Sequence, residues 1–296
     1  MNKVLTLIVN PSSTELSEKD VKNFQNLMKS NDCDVAQPVW LAQGEAVDIA
    51  FSGDMDPETL AQEAVSLSAD FAIQDSQTRA KKMLIADMDS TMISEECIDE
   101  LADFAGLKEK VSAITEAAMR GELDFDEALK ERVGLLKGMK TVVLEQCYNE
   151  RINLMPGAES LIKTMNANSA VTALVSGGFT FFTSRIASHL GFTMNRANVL
   201  EETNGALTGT VQLPICNSST KIESLIELRE QHSLAFHEVM AVGDGANDIP
   251  MIEGAGLGIA YHAKPKARRA ADVSINHCDL SALLFIQGYK REDFIV

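Results

Sequence analysis

Met83-Leu84-Ile85-Ala86-Asp87-Met88-Asp89-Ser90-Thr91 is an apolar run that ends in two acids one residue apart. The apolar residues predict a short buried strand, so both carboxylates fall just past its end. Two such acids repel each other and demand a cation, which is costly unless the pair does chemistry. The stretch reads as a carboxylate nucleophile, Asp87, with an acid/base partner, Asp89, on a Mg²⁺ ion. Taken alone, an Asp-x-Asp turn reads equally well as a solvated acidic loop.

Three further elements lie downstream. Val175-Ser176-Gly177-Gly178-Phe179 follows the buried run Val171–Leu174 and predicts a strand-to-helix turn. Small residues there let backbone N–H groups approach a phosphate, and a helix N-terminus adds partial positive charge. An ordinary turn is the simpler reading of that element by itself. Lys221 opens a helix predicted over 221–231, where it opposes the helix dipole, so an anionic partner would account for it. Val242-Gly243-Asp244-Gly245-Ala246-Asn247-Asp248 ends another strand, read over 237–242, in a Gly-flanked acid that could complete a metal shell. A short third strand is read at Gly258–Ala260. Strands alternating with helices imply an α/β fold, a Rossmann-like doubly wound parallel sheet. The loops at the carboxyl ends of its strands would then converge on one crevice.

Residues 1–80 carry a different pattern. Strands are read at Val4–Val9, Asp34–Leu41, Ala46–Phe51 and Phe71–Gln74, with helices opened by Ser17 and by Asp56-Pro57. The order βαββαβ suggests a small α+β ferredoxin-like (ACT-like) module, a topological likeness without a diagnostic motif. Gln77–Lys82 reads as a polar link into a second unit, 81–296. That unit contains a helix-favouring insertion at about 94–153.

Bulk properties bound the remaining possibilities. The 296 residues are 45% hydrophobic, so a substantial core forms. The net charge of −17 and 5% aromatic content disfavour nucleic acid and anionic membranes as partners. Five widely spaced cysteines without a Cys-x-x-Cys pair argue for reduced thiols in a cytoplasmic protein. No apolar run reaches the length of a membrane span, and no signal peptide is evident.

In this order, the four elements resemble the haloacid dehalogenase superfamily of phosphohydrolases over about residues 83–275. Ser90-Thr91 in place of Lys-Thr-Gly sets the chain apart from P-type ATPases. A narrower resemblance, to the phosphoserine phosphatase family, spans roughly 83–292. It rests on Asp87–Thr91, with apolar Met88 between the acids, and on Glu95-Glu96-Cys97-Ile98-Asp99-Glu100-Leu101-Ala102. It rests also on Met119-Arg120-Gly121-Glu122-Leu123-Asp124-Phe125 with Arg132-Val133, and on Ile286-Gln287-Gly288-Tyr289.

The resemblance implies a haloacid dehalogenase fold whose helical insertion acts as a cap. It implies Mg²⁺-dependent hydrolysis of O-phospho-L-serine through an aspartyl-phosphate on Asp87, the last step of serine biosynthesis. Asp89 would be the proton donor and acceptor. Mg²⁺ would be held by Asp87, the Asp89 backbone carbonyl and Asp244. Glu96 would meet the substrate ammonium and Arg132 its carboxylate, with Met119 and Phe125 on the cap side. Without the family, Glu96 and Arg132 read as a solvated helix face, and Met119 and Phe125 as core. Ser176, Gly177 and Lys221 would hold phosphate; Asn247 would touch phosphate or orient water. Asp248 would fix Lys221 or a metal-bound water. Two other readings stand beside this one: transfer of the phosphoryl group to another alcohol such as homoserine, and an amino-acid-sensing regulator with an idle site. ACT-like modules often pair through their sheets, so a homodimer is a further expectation.

Overall fold

The computed structural model describes residues 2–119 and 123–296 and, for 116–119, the backbone alone. The chain opens with β1 (Lys3–Val9), α1 (Glu18–Ser30), β2 (Asp34–Val35), β3 (Val39–Ala42), β4 (Ala46–Ser52), α2 (Pro57–Leu67) and β5 (Ala69–Asp75). Ser17 caps α1: its Oγ accepts the Asp20 N–H at 3.2 Å, and Asp20 accepts the Ser17 N–H at 3.0 Å. Asp56 caps α2 through the N–H groups of Glu58 and Thr59, with Pro57 at the first helical position. The strand expected over Asp34–Leu41 is two pieces, β2 and β3. Pro38 lies at the break and has no N–H to give a ladder.

These strands form an antiparallel sheet ordered β2-β4-β1-β5, with β3 also on β4. Alternation along β1 assigns its two faces. Leu5, Leu7 and Val9 pack beneath the helices with Phe24 and Leu60. Ile8, with Ala46 and Ala72, instead joins the core of the rest of the chain, alongside Leu283 and Phe285. The sheet face away from α1 and α2 is therefore consumed by packing within the chain. Thr6 and Asp48 lie in the same seam, where Asp48 accepts from Thr6 Oγ1 at 2.7 Å and pairs with Arg79 at 2.7 Å.

Asp70 pins the two units at one end. Its carboxylate is 2% exposed and accepts the backbone N–H groups of Asn276 (2.8 Å), His277 (3.0 Å) and Cys278 (2.8 Å). Asp70→Ala leaves three backbone donors without their acceptor, that of Cys278 buried and the other two part-buried, and is expected to lower unfolding free energy by about 3 kcal/mol. A urea melt followed by circular dichroism checks this; an unchanged midpoint would mean water replaces the carboxylate at no cost. The polar link is no free tether either. Lys81 is buried and donates to the carbonyls of Thr78 (2.9 Å) and His237 (2.8 Å), and burial lowers its pKa to about 8.

The second unit begins with β6 (Met83–Ala86), every residue of it buried. Four helices follow: α3 (Cys97–Phe104), α4 (Lys108–Met119), α5 (Phe125–Leu135) and α6 (Val142–Arg151). Next come α7 (Ala158–Ala167), β7 (Val171–Phe179), α8 (Thr180–Leu190) and β8 (Met194–Asn198). The hairpin of β9 (Leu200–Thr203) and β10 (Ala206–Val211) precedes α9 (Ser218–Gln231) and β11 (Val239–Gly243). The chain ends through α10 (Ile249–Glu253), β12 (Leu257–Tyr261), α11 (Pro265–Ala270), β13 (Val273–Ile275) and α12 (Ala282–Ile286).

The expected parallel sheet is present, ordered β13-β12-β11-β6-β7-β8, with every pair parallel. From β6 the chain goes first to β7 on one side and later to β11 on the other. The order reverses between β6 and β11, which is where open α/β sheets bind ligands. One detail differs from expectation. Ser176-Gly177-Gly178 is not a turn after the strand but part of β7, which runs on to Phe179. The ladder to β8 shifts register after Val175 and resumes where Phe179 meets Asn198, so the glycines stay extended through an irregularity. Among the described residues no helix is long and apolar enough to cross a membrane.

Candidate active site

Register alone brings the acids together. Ala86 lies level with Val242 on β11 and with Leu174 on β7. Asp87 therefore leaves β6 level with Gly243 and Val175, one residue before Asp244 on the β11 side and Ser176 on the β7 side. The Asp87 N–H donates to Val242 O at 3.0 Å. Its Oδ1 accepts the Met88 N–H at 2.8 Å and meets Lys221 Nζ at 2.7 Å. Its Oδ2 has no hydrogen-bond partner among the described residues.

Lys221 is fully buried, 0% exposed. Its ammonium also meets Asp248 Oδ1 at 2.5 Å. Burial opposes its charge, but Asp248 and Asp87 outweigh that and hold the ammonium above its ordinary range. The helix starts earlier than expected, at Ser218, so Lys221 sits at the end of the first turn and points inward. Asp248 Oδ2 accepts the N–H groups of Asp244 (3.2 Å) and Gly245 (2.9 Å). This fold-back explains Gly243: a Cβ there would lie 2.4 Å from the Asp248 carboxyl carbon. Asn247 lies beside the cluster, and its backbone carbonyl accepts from Ser218 Oγ at 2.8 Å.

Asp89 is held from two sides. Oδ1 accepts the N–H of Cys97, the first residue of α3, at 2.8 Å, and Oδ2 accepts from Ser176 Oγ at 3.0 Å. Ser176 Oγ accepts the Gly178 N–H at 2.8 Å in turn. The motif bends at Ser90, which adopts φ +55° and donates to Glu96 Oε1 at 2.7 Å. Two acids from two motifs, Asp87 and Asp248, thus meet one buried ammonium.

Comparison with known proteins agrees with this geometry. The family description of haloacid dehalogenase-like hydrolases matches residues 84–253, more than half of the chain. The chain belongs to the haloacid dehalogenase-like hydrolase family. It is an enzyme, as the intact acid cluster leads one to expect. A phosphoserine phosphatase of a Polaromonas species is 49% identical to this hydrolase over 208 residues, 69% of this chain and 88% of its own. A haloacid dehalogenase family hydrolase from Salmonella enterica serovar Typhi superposes with TM-score 0.84 at 31% identity, covering 97% of this chain and 99% of its own. A phospho-aspartyl intermediate analogue of phosphoserine phosphatase superposes with TM-score 0.65 at 39% identity, covering 70% and 98%.

The hydrolase's helical segment closes one side of the site. Phe125, the first residue of α5, rests on Gly177, where a Cβ would lie 2.8 Å from the ring. Glu96 is exposed to solvent, yet the surrounding protein and then Asp89 push its carboxyl up to about 7. Arg132, on α5, is part-buried, with its Nε on Ala128 O at 3.2 Å. Burial lowers its pKa, against the pull of Asp99 and then Glu96. The side chain of Met119 and the whole of Arg120-Gly121-Glu122 lie outside the described residues.

The acidic cluster fits a divalent cation. Carboxylate oxygens of Asp87, Asp244 and Asp248 lie within 4.8 Å of one another, all three residues buried. Burial and then Asp248 raise Asp87 well above the carboxylate range, and the same two causes raise Asp244 to about 6. Such acids lack positive charge, and an all-oxygen donor set suits Mg²⁺. Asp248 already spends both oxygens on Lys221 and the backbone, which leaves Asp87 and Asp244 as the freer donors.

Some residues of the site were not legible beforehand. Asn198 is 2% exposed and spans two loops: its Nδ2 donates to Gly177 O (2.9 Å) and Cys216 O (3.0 Å), and its Oδ1 accepts from Cys216 N (2.7 Å). Asp99 has a buried Oδ1 without a partner among the described residues, and Arg132 is the first of the cations that pull against its burial. No local pattern marks either one. A cavity of about 410 Å³ lies elsewhere, between α2, β5 and β13, and takes no part in this chemistry.

Proposed function

We propose that this chain is a Mg²⁺-dependent phosphatase that hydrolyses O-phospho-L-serine to L-serine and phosphate. The observation that carries the reading is the buried contact of Lys221 with Asp87, beside an Asp89 fixed by Ser176 and the start of α3. The named relatives supply the substrate. An Asp87 oxygen attacks phosphorus as the P–O bond to serine breaks, and Asp89 gives its proton to the leaving alkoxide. Asp89 then takes a proton from water, which attacks the aspartyl-phosphate and releases phosphate and Asp87. Lys221, Ser176 and the backbone of Gly177 neutralise and hold the phosphoryl oxygens, with Asn247 beside them. Mg²⁺, held by Asp87, Asp244 and the Asp89 carbonyl, would supply charge screening for two anions that must meet. Asp248 keeps Lys221 in place.

Glu96 would accept the substrate ammonium, and Arg132 would take its carboxylate in a planar fork. Phe125 and Met119 would close the apolar side. Arg132→Ala is expected to raise KM for phosphoserine about 10²-fold while changing KM for a phosphate monoester without a carboxylate less than about threefold. Equal losses on both substrates would remove Arg132 from substrate selection. The reading as a whole is tested by a panel of phosphorylated amino acids and sugars, with Mg²⁺ present or chelated. Phosphoserine should lead the panel, and chelation should abolish release.

We read the chain as two modules, 1–80 and 81–296, with a helical cap at about 94–153. The first module has the strand order of a ferredoxin-like fold and is ACT-like in this reading, a candidate for amino-acid binding or homodimer formation. The activity would make this the closing step of serine biosynthesis in the cytoplasm.

A further inference from the structure

The two ends of the site lie on different elements. Lys221 is carried by α9, whereas Phe125 and Arg132 are carried by α5. Residues 125 and 132 are two helical turns apart and so share a face. The C-terminal end of α5 is held through the segment that follows it. Gly138 N donates to Leu207 O at 2.8 Å and Leu207 N to Met139 O at 2.9 Å, both on the β9–β10 hairpin side. Among the described residues, the N-terminal end is tied to α9 by a side-chain bond: Asn217 Nδ2 donates to Asp126 Oδ1 at 3.1 Å.

Asn217 does a second job with the other atom of its amide. It is the N-cap of α9, and its Oδ1 accepts the N–H groups of Ser219 (3.0 Å) and Thr220 (3.4 Å). Among the side chains that cap helices well, Ser and Thr are too short to reach across, and Asp has no donor. Asn alone caps α9 and donates to a carboxylate at once. Asp126 is well placed to be that carboxylate, because it lies in the first turn of α5 where the helix dipole favours an anion.

We propose that Asn217 is a positioning residue: by capping the Lys221 helix while holding Asp126, it sets the substrate-facing side of α5 at a fixed distance from the phosphate-holding lysine. Gly177 is the third point of the seat, with the Phe125 ring lying on it. The inference deepens the proposed function and rests on it for the substrate and for the roles of Lys221, Phe125 and Arg132.

The test is a charge swap. Asn217→Asp keeps a strong cap on α9 but sets a carboxylate against Asp126; adding Asp126→Asn restores a donor–acceptor pair with the roles reversed. In Asn217→Asp, KM for phosphoserine is expected to rise about tenfold with kcat changed less than about threefold. The double variant is expected to return KM to within about twofold of the parent. Amide hydrogen exchange on the protein without substrate gives a second readout. Exchange at the start of α5 should speed up in Asn217→Asp and slow again in the double variant, while α9 stays protected. Unchanged exchange at α5, unchanged KM despite faster exchange, or a double variant no better than the single one would each overturn the proposal. If exchange responds as expected but the parent protein does not turn over phosphoserine, the function is wrong and the tie stands.

Discussion

Asp87→Asn is expected to abolish phosphatase turnover, with kcat down roughly 10⁴–10⁶-fold, without unfolding the protein. The amide is nearly isosteric, and its oxygen can still accept the Met88 N–H and the Lys221 ammonium where Oδ1 does now. What it lacks is a charged oxygen able to attack phosphorus. Stability should move the other way. Burial and Asp248 raise the Asp87 pKa well above the usual carboxylate range, so the fold disfavours the ionised form. A neutral isostere relieves that crowding, and the midpoint of thermal unfolding should hold or rise. Activity loss together with retained or increased stability is the signature of a group kept for chemistry. A drop below tenfold in kcat would mean that the nucleophile lies elsewhere.

Lys221→Met is expected to cost on both counts. Its ammonium contacts Asp87 at 2.7 Å and Asp248 at 2.5 Å with no exposure to solvent. Removing it leaves two buried carboxylates without their cation, which costs about 3–5 kcal/mol in comparable buried pairs. It also removes charge stabilisation at the phosphoryl oxygens, worth about 10²–10³ in kcat. The pH dependence has a definite sign. The folded ammonium is held above its ordinary value, so its contribution is fully present below the unfolded value of roughly 10.4. It is lost only as pH rises past that point through the folded value. Chemical denaturation at pH 7 measures the stability cost, and kcat on the surviving folded fraction measures the catalytic one. A fully active, fully stable Lys221→Met would contradict the site.

Much of the fold was readable because period and punctuation agree. Asp87 and Asp244 each end an unbroken apolar run that is too short for a helix, and both sit where parallel strands deliver their loops. Ser17 and Asp56 announce their helices by local hydrogen bonding, a signal that needs no tertiary context. Family membership and the α/β class followed from the same residues. Departures arise where a local rule meets a long-range one. Pro38 divides a run that looks continuous in hydropathy. Gly177 and Gly178 suggest a turn, but pairing with β8 keeps them extended through a register shift. The β9–β10 hairpin carries no strong alternation and escapes notice.

The site residues follow the same division. Charged groups beside an apolar strand end advertise themselves; amides that bridge loops do not. Asn198 joins Gly177 to Cys216, and Asn217 joins α9 to Asp126, across sequence separations of 18 and 91 residues. Nothing near either asparagine records its partner. The packing of Ile8, Ala46 and Ala72 against Leu283 and Phe285 is likewise invisible in the strand pattern of the first module, because alternation tells which residues share a face but not what covers it.

Reductive trapping tests the chemistry most directly. Enzyme mixed with phosphoserine and Mg²⁺ is quenched during turnover and treated with borohydride, which converts an aspartyl-phosphate to homoserine, and the peptides are mapped by mass spectrometry. Homoserine should appear at position 87 and nowhere else, and should vanish when substrate is omitted. Homoserine at another acid, or none during rapid phosphate release, would contradict a phosphoryl group carried by Asp87.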